Sequence, residues 1–172
     1  MLEQGLFVTI VTRRTLLIPY TESFELDFLM LNCCAKNRAY MNGPKTVSAS
    51  RELFKRVLND SSIHAMAVLD NYNREFMGHV FIERDDIKAE LGFIFDKLYW
   101  KQGLASEALK AFFPKACERL GLMRVVASAE VENLSAIKIL QALGFENKGE
   151  NEEYFAPSYD FEWIRPSDAV AS

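Results

Sequence analysis

Hydrophobic and polar positions along the chain follow two patterns. Short apolar runs rich in β-branched and aromatic residues indicate strands, and apolar residues recurring every three or four positions indicate helices. The resulting order is β–α–α–β–β–β–α–β–α–β–β. The predicted strands cover about 15–18, 65–69, 76–82, 91–95 and 124–131, with two closing strands between 145 and 164. The predicted helices cover about 23–35, 48–58, 103–120 and 133–143.

This order of elements predicts the fold class. Hairpins and single strands interspersed with helices are typical of a mixed α/β (α+β) domain, here with a largely antiparallel sheet of about six or seven strands and about four helices. We expect one domain over residues 1–172, with 1–12 as a partly ordered lead-in and 165–172 as a loose tail. No internal repeat, low-complexity tract or domain linker interrupts the pattern.

Composition and charge exclude several classes of protein. The 172 residues suffice for a full core, and 49% hydrophobic with 26% charged residues is the profile of a soluble globular protein. A net charge of −4 disfavours nucleic-acid binding. Because no apolar run reaches about 18 residues, we expect no membrane span. The first residues lack the basic-then-apolar order of a secretion signal, so we expect a cytoplasmic protein.

Cysteine and histidine usage argues against a metal site. Adjacent Cys33 and Cys34 and the distant Cys117 have neither disulfide-framework nor metal-ligand spacing. His64 and His79 are the only histidines, and they fall in or beside predicted strands. We therefore expect reduced thiols, no metal, and no chemistry at either histidine.

The central feature of the chain is a strand that leads through a glycine-bearing turn into a helix. An apolar run at 91–95 is followed by a short connector, Gly103 and a helical segment. The first turn of such a helix presents unpaired N–H groups and the positive end of a dipole, which suits a phosphate. Many strand–helix junctions contain glycine and bind nothing, so this pattern alone leaves both interpretations open.

A family resemblance adds to this pattern. The segment ELGFIFDKLYWKQGLASEA, followed by ENLSAIKILQALGF, resembles the GNAT acetyltransferase superfamily and most of all its ribosomal-protein N-terminal acetyltransferase branch. The opening TRRTLLIP is also similar to that branch, so the resemblance covers nearly the whole chain. The matching positions are Glu90, Leu91, Gly92, Tyr99, Trp100, Gly103, Ala105, Glu107, Ala108, Asn133, Gly144 and Phe145, with Phe93 and Ser106 in place of a tyrosine and a threonine.

The resemblance implies a cleft for acetyl-CoA beside the central strand. Backbone groups of Phe93, Ile94 and Phe95 would pair with the pantetheine arm like an added strand. Asn133 would contact acetyl-CoA from the other side of the cleft. Backbone N–H groups of the turn would hold the pyrophosphate. The residues implied there are Lys101, Gln102, Gly103, Leu104, Ala105 and Ser106.

Three positions depart from the family pattern. Lys101 replaces a usual glycine: a lysine fits there if the local φ is negative, its charge could help to hold a phosphate, and the turn is altered otherwise. Ala136 replaces a frequent serine. Leu140 lies where many members carry a tyrosine that protonates the departing thiolate, which leaves that role unassigned in the sequence.

Acetyl transfer to an amine needs a neutral amine, a polarised thioester carbonyl and a proton for the thiolate. Glu90 is the candidate base, acting through a water, although a strand-end carboxylate of this kind can equally be a solvated surface group. Glu107 in the first helical turn is expected to favour the helix dipole. Tyr154 could donate a proton, but an aromatic residue there can also be part of the core.

The resemblance implies an acetyl-CoA-dependent N-acetyltransferase whose first candidate acceptor is the N-terminal α-amine of a protein. A small amine (a polyamine, an amino acid or an antibiotic) and a degenerate acyl-CoA-binding module are the alternatives. A strongly acidic cleft would favour a polycation, and a groove open at both ends would favour a peptide. The loop at 36–47 and the closing strands are expected to select the acceptor. A monomer and a homodimer both remain open.

Overall fold

The protein is described here from a computed structural model covering residues 8–167. Within these residues, eight strands form one sheet and four α-helices pack against it. The strands are β1 Ile10–Val11, β2 Thr15–Pro19, β3 Ile63–Asp70, β4 Phe76–Arg84, β5 Ala89–Phe95, β6 Arg124–Glu130, β7 Glu146–Asn151 and β8 Ser158–Ile164. The helices are α1 Glu25–Asn32, α2 Val47–Asn59, α3 Leu104–Leu120 and α4 Leu134–Ala142.

The sheet has the order β1-β2-β3-β4-β5-β6-β8-β7, with every neighbouring pair antiparallel except β5 and β6. This confirms the predicted mixed α/β, largely antiparallel fold with four helices. The sheet has one strand more than expected, because Ile10 pairs with Leu17 and is only 5% exposed. The expected lead-in at 1–7 and tail at 168–172 lie outside the described residues.

Arg165, the first residue of the expected loose tail, is held in place. Its backbone N–H donates to the Met123 carbonyl, and its guanidinium donates to the carbonyls of Cys117 and Leu122. The chain after β8 is therefore tied to the end of α3 at this residue. Arg165 is therefore anchored, and the loose character expected of the rest of the tail stays a prediction.

The sheet separates two hydrophobic cores. On one face α3 packs on the central strands, with Phe112 and Phe113 near Val125 and Phe161. On the other face α1 and α2 contribute Phe28, Phe54 and Val57, which pack with Ile63 of β3. We call the face with α1 and α2 the acceptor face. The cross-strand pairs His79–Ile94, Phe81–Gly92 and Glu83–Glu90 share it, because directly opposed residues of neighbouring strands point to one side.

The parallel neighbours β5 and β6 pair at a single position, Glu90 with Val126. Along its other side β5 pairs with β4 over its whole length. Within the described residues, the β6-facing edge of β5 is therefore unpaired from Leu91 to Phe95. We call this open gap between the two strands the fork.

Candidate active site

The turn after β5 brings a helix N-terminus to the mouth of the fork. Gly103 is the N-cap of α3 and has φ 75° and ψ 8°, a left-handed conformation that glycine adopts without strain. Glycine has no side chain with which to cap the helix, and the first N–H groups of an α-helix lack helical partners. An uncapped N-terminus of this kind fits the pyrophosphate that the family resemblance implies. Buried Leu104 can offer only its backbone, whereas Gln102 and Gly103 are exposed.

Lys101 is exposed and has φ 62°. The condition of a negative φ is therefore not met at this position. The turn keeps the left-handed conformation that glycine would adopt, and the lysine carries the steric cost of it. Because Lys101 adopts a conformation that glycine also adopts, the substitution does not by itself remove the turn.

Glu107 connects the turn to the start of the sheet. Its carboxylate accepts from the Thr12 hydroxyl at 2.6 Å, the Arg14 backbone N–H at 2.7 Å and the Arg14 Nε at 2.8 Å. Arg14 also donates from Nη1 to the Gln102 carbonyl at 2.8 Å. Burial alone raises the pKa of Glu107, but the hydrogen bonds from Thr12 and Arg14 outweigh it and lower that pKa. We call this set of contacts the clamp.

The clamp goes beyond the expected role of Glu107 at the helix dipole. Sequence reasoning missed Arg14 as a site residue, although it lies within TRRTLLIP, the opening segment that resembles the family. The sequence could not show that the two segments meet, because Arg14 and Glu107 are 93 positions apart.

A second set of contacts ties the turn to the loop after α1. The Asn37 side chain donates to the Asp96 carboxylate at 3.0 Å and accepts from the Lys97 backbone N–H at 2.8 Å. Asp96 accepts in turn from the Leu98 N–H, and Trp100 donates from Nε1 to the Phe95 carbonyl. Asn37 is buried, and sequence reasoning did not single it out. These bonds hold the acceptor-side loop against the end of β5.

Glu90, Gly92 and Ile94 alternate along β5 and face the acceptor side of the sheet. A Cβ added to Gly92 would lie 2.2 Å from the Phe81 ring, so the ring lies directly against this glycine. Phe81 also stacks on His79, with ring centroids 5.0 Å apart. Beside the fork, the acceptor face therefore carries the stacked rings of Phe81 and His79. The carboxylate of Glu90 lies where β5 and β6 meet.

Half-buried Glu90 has a raised pKa. Burial is the main cause, and the charges of Glu83, Asp160 and Asp85 act in the same direction against the opposing charge of Lys88. A carboxylate with a raised pKa is better matched to accepting a proton near neutral pH. The structure thus places Glu90 where a base would be useful, and its catalytic role stays a prediction.

Tyr154 lies near Glu90, in the connection between β7 and β8. Its hydroxyl donates to the Asp160 carboxylate at 2.8 Å. Burial, followed by this hydrogen bond, raises its pKa, and the charge of Glu90 acts in the same direction. The residue is 43% exposed, so the core alternative for Tyr154 does not hold.

Asn133 and Leu140 lie at the two ends of α4. The Asn133 side chain accepts from the Ala136 N–H at 3.3 Å and caps the helix, while its contact with acetyl-CoA stays a prediction. Leu140 is 1% exposed and belongs to the large core. The position at which many family members carry a tyrosine is therefore a packing position here.

His79 is buried beneath the acceptor face. Its Nδ1 lies 2.9 Å from the Tyr20 hydroxyl. Burial lowers the pKa of His79 to about 3. The imidazole is therefore neutral near pH 7 and is a structural partner of Tyr20 and Phe81 rather than a titrating base.

An acceptor-side cleft of about 200 Å³ lies between the sheet and the loop that joins α1 to α2. Phe81 and Ile94 form part of its floor. Its lining residues are Asn32, Arg38, Met41, Lys45, Leu53, Val57, Ile63, His79, Phe81, Glu83 and Ile94.

Within residues 8–167, no cluster of three His, Cys, Asp or Glu side chains is arranged to hold a metal ion. In the same part of the chain, no helix combines the length and the apolar character needed to cross a membrane.

Comparison with known proteins agrees with this geometry. The Acetyltransferase (GNAT) domain family matches residues 14–146. An uncharacterised N-acetyltransferase, p20 of Bacillus licheniformis, is 31% identical over 124 residues, 67% of this chain and 69% of that protein.

Two solved structures share the fold at low sequence identity. The spermidine N-acetyltransferase of Vibrio cholerae, in complex with CoA and spermine, has a TM-score of 0.78 at 18% identity and covers 89% of this chain and 96% of its own. The ribosomal-protein-S5-alanine acetyltransferase of Vibrio fischeri has a TM-score of 0.74 at 16% identity and covers 93% of this chain and 100% of its own.

The chain therefore belongs to the GNAT acetyltransferase family, and it is an acetyl-CoA-dependent N-acetyltransferase. The two structural neighbours act on different amines, according to their names. The class of acceptor has to be inferred from the residues of the acceptor face.

Proposed function

We propose that this enzyme acetylates the N-terminal α-amine of a protein or peptide in the cytoplasm, with Glu90 as general base. The observation that carries the proposal is the position of Glu90. It lies at the root of the fork, on the acceptor face, and has a raised pKa. A ribosomal protein is the first candidate acceptor, in keeping with the branch that the sequence resembles.

The chemistry places a specific demand on this base. The amine nitrogen attacks the thioester carbon, the C–S bond breaks, and the nitrogen loses a proton that Glu90 accepts through a water. An α-amine has a pKa near 7.7–8, against about 10.4 for a lysine side chain. Because a sizeable fraction of an α-amine is already neutral near pH 7, a carboxylate suffices as base. This supports an α-amine over a side-chain or polyamine nitrogen.

The other implied site residues have roles consistent with their positions. The open edge of β5 fits the pantetheine arm, which the backbone of Phe93, Ile94 and Phe95 would bind as an added strand. The uncapped N-terminus of α3 fits the pyrophosphate, held by the N–H groups between 101 and 106. Asn133 would contact acetyl-CoA from α4. Tyr154 is a candidate for returning a proton to the thiolate, since Leu140 cannot.

A small amine is the second candidate acceptor. Glu83, Glu90 and Asp160 supply negative charge to the acceptor face, and one structural neighbour is a spermidine acetyltransferase. Against a polycation, Arg56 pairs with Glu83 at 2.9 Å, so part of this charge is already neutralised.

The test is the pH dependence of turnover with a short peptide bearing a free N-terminus. Glu90→Gln should lower kcat by about tenfold to a hundredfold, because the amide cannot accept the proton. It should also remove the contribution of the carboxylate to the acidic limb of the pH–rate profile and leave the part set by the acceptor amine. Acetyl-CoA affinity should remain within about twofold, since Glu90 is not assigned to the cofactor. Glu118→Gln, an exposed change on α3, is the matched control. An unchanged profile in Glu90→Gln would remove Glu90 from the mechanism.

A further inference from the structure

The acceptor-side cleft contains two cations close to its apolar floor. Arg38 and Lys45 both come from the loop between α1 and α2, and both line the cleft with Phe81 and Ile94. Glu83 lies in the same cleft and is the cross-strand partner of Glu90. The cleft therefore adjoins the strand pair that carries Glu90, the proposed base.

Arg38 is held rigidly by neutral oxygen atoms. Its Nε donates to the Gly43 carbonyl at 2.8 Å, its Nη1 to the Asn32 side-chain oxygen at 3.2 Å and its Nη2 to the Met41 carbonyl at 2.7 Å. The residue is 9% exposed. None of these partners carries a negative charge, so the guanidinium charge stays uncompensated within this network.

Lys45 shares this lack of compensation. Within residues 8–167, no carboxylate lies within 4.0 Å of either Lys45 or Arg38. Glu83, the carboxylate of the cleft, accepts instead from Arg56 at 2.9 Å. Burial, followed by the charge of Arg38, lowers the pKa of Lys45. Two buried or half-buried cations without a counter-ion are costly unless an anion joins them.

We propose that Lys45, supported by Arg38, binds a carboxylate of the acceptor, so that the substrate is an amine with a carboxylate a few bonds away. The proposal rests on the function proposed above and narrows its acceptor. A peptide with an acidic residue directly after its N-terminal residue meets this requirement, and so does a free α-amino acid. A volume of about 200 Å³ suits one or two residues.

The same charges disfavour a polyamine. A second ammonium group on the acceptor would lie in a small, largely apolar cleft beside two like charges, where screening by water is weak. The loop at 36–47 thus acts as a selecting element through charge as well as through shape.

The experiment measures both binding and turnover with matched acceptors. The peptides Ala-Glu-Ala, Ala-Gln-Ala and Ala-Lys-Ala are each amidated at the C-terminus, so that the glutamate side chain is the carboxylate that distinguishes them. With free glutamate and spermidine as further arms, they are titrated calorimetrically in the presence of CoA and assayed for thiol release with acetyl-CoA. We expect Ala-Glu-Ala to be preferred over Ala-Gln-Ala by about tenfold or more in Kd and kcat/KM, as for one charge-assisted hydrogen bond. A stronger response to free glutamate would identify an amino acid as the acceptor.

Three variants assign the preference to Lys45. Lys45→Met should reduce the preference for Ala-Glu-Ala to less than about twofold, and Lys45→Glu should reverse it in favour of Ala-Lys-Ala. Lys36→Met, an exposed change in the same loop, should leave it unaltered.

The outcomes separate the two proposals. Turnover of all three peptides at equal rates would overturn the carboxylate subsite and leave the acetyl-acceptor proposal standing. Lysine-dependent binding of Ala-Glu-Ala without any turnover would support the subsite and contradict the proposed function. A preference that survives in Lys45→Glu, or an absence of peptide and glutamate binding, would also overturn the subsite.

Discussion

The clamp between Glu107, Thr12 and Arg14 offers a test of how the cofactor turn is held. Glu107→Ala removes a carboxylate that accepts three hydrogen bonds of 2.6, 2.7 and 2.8 Å. The first two join α3 to the segment before β2, and the third is part of an ion pair. Arg14 also donates to the Gln102 carbonyl. Glu107→Ala therefore removes the carboxylate that orients Arg14 and weakens the support of the turn as well.

The cost follows from the exposure of each contact. The side chains of Glu107 and Arg14 are 22% and 46% exposed, so the ion pair itself contributes under about 1 kcal/mol. Each of the other two hydrogen bonds contributes about 1 kcal/mol. We therefore expect Glu107→Ala to lower the free energy of unfolding by about 2–3 kcal/mol at pH 7. Acetyl-CoA should bind about threefold to tenfold more weakly. The turn is less ordered in the free variant, and part of the binding free energy is then spent on ordering it.

Urea unfolding and calorimetric titration with acetyl-CoA measure the two effects separately. Glu118→Ala, an exposed change on the same helix, is the control, and it should change stability by under about 0.5 kcal/mol. Because the folded-state pKa of Glu107 is lowered, its contribution is present above its unfolded pKa and is lost as the pH falls through the folded value. An unfolding free energy equal to wild type would refute the clamp. Lower stability with unchanged acetyl-CoA affinity would restrict it to a structural role.

Two further predictions concern backbone strain and a buried histidine. Lys101→Gly should stabilise the fold by about 0.5–1 kcal/mol in urea unfolding, because relief of the left-handed strain exceeds the added entropy of the unfolded chain; lower stability would show that the lysine side chain makes a compensating contact. The pKa of His79 is about 3 in the folded protein and about 6.5 in the unfolded chain. As the pH falls from 7 to 5, the unfolded chain takes up a proton that the folded protein does not, so the free energy of unfolding should fall by about 2 kcal/mol. His79→Phe should have a correspondingly shallower pH dependence, and an equal slope in both proteins would contradict a neutral His79.

Local patterns in the sequence were sufficient for most of the fold. The two hydrophobic patterns reflect which side of a strand or helix each residue occupies, and this is visible in neighbouring residues. They therefore predicted four helices and seven of the eight strands that the described residues form. The missed strand, Ile10–Val11, has two residues, too few for any period to be visible. It exists because Ile10 pairs with Leu17 and covers the sheet edge.

The candidate site divides in the same way. The turn at Gly103 was predictable, because a left-handed residue just before a helix is usually glycine, and this preference is local. The conformation of Lys101 was not, because its sign of φ is set by the surrounding structure rather than by the lysine.

The elements, their order and the family of the chain can be inferred from the sequence alone, because neighbouring residues carry the information for each of them. Folding, by contrast, brings Arg14 to Glu107 across 93 positions and Asn37 to Asp96 across 59. It also brought the cations of the loop at 36–47 to the floor formed by β4 and β5. Contacts of this kind depend on sheet order and helix packing, and these are properties of the whole chain that no local spacing encodes.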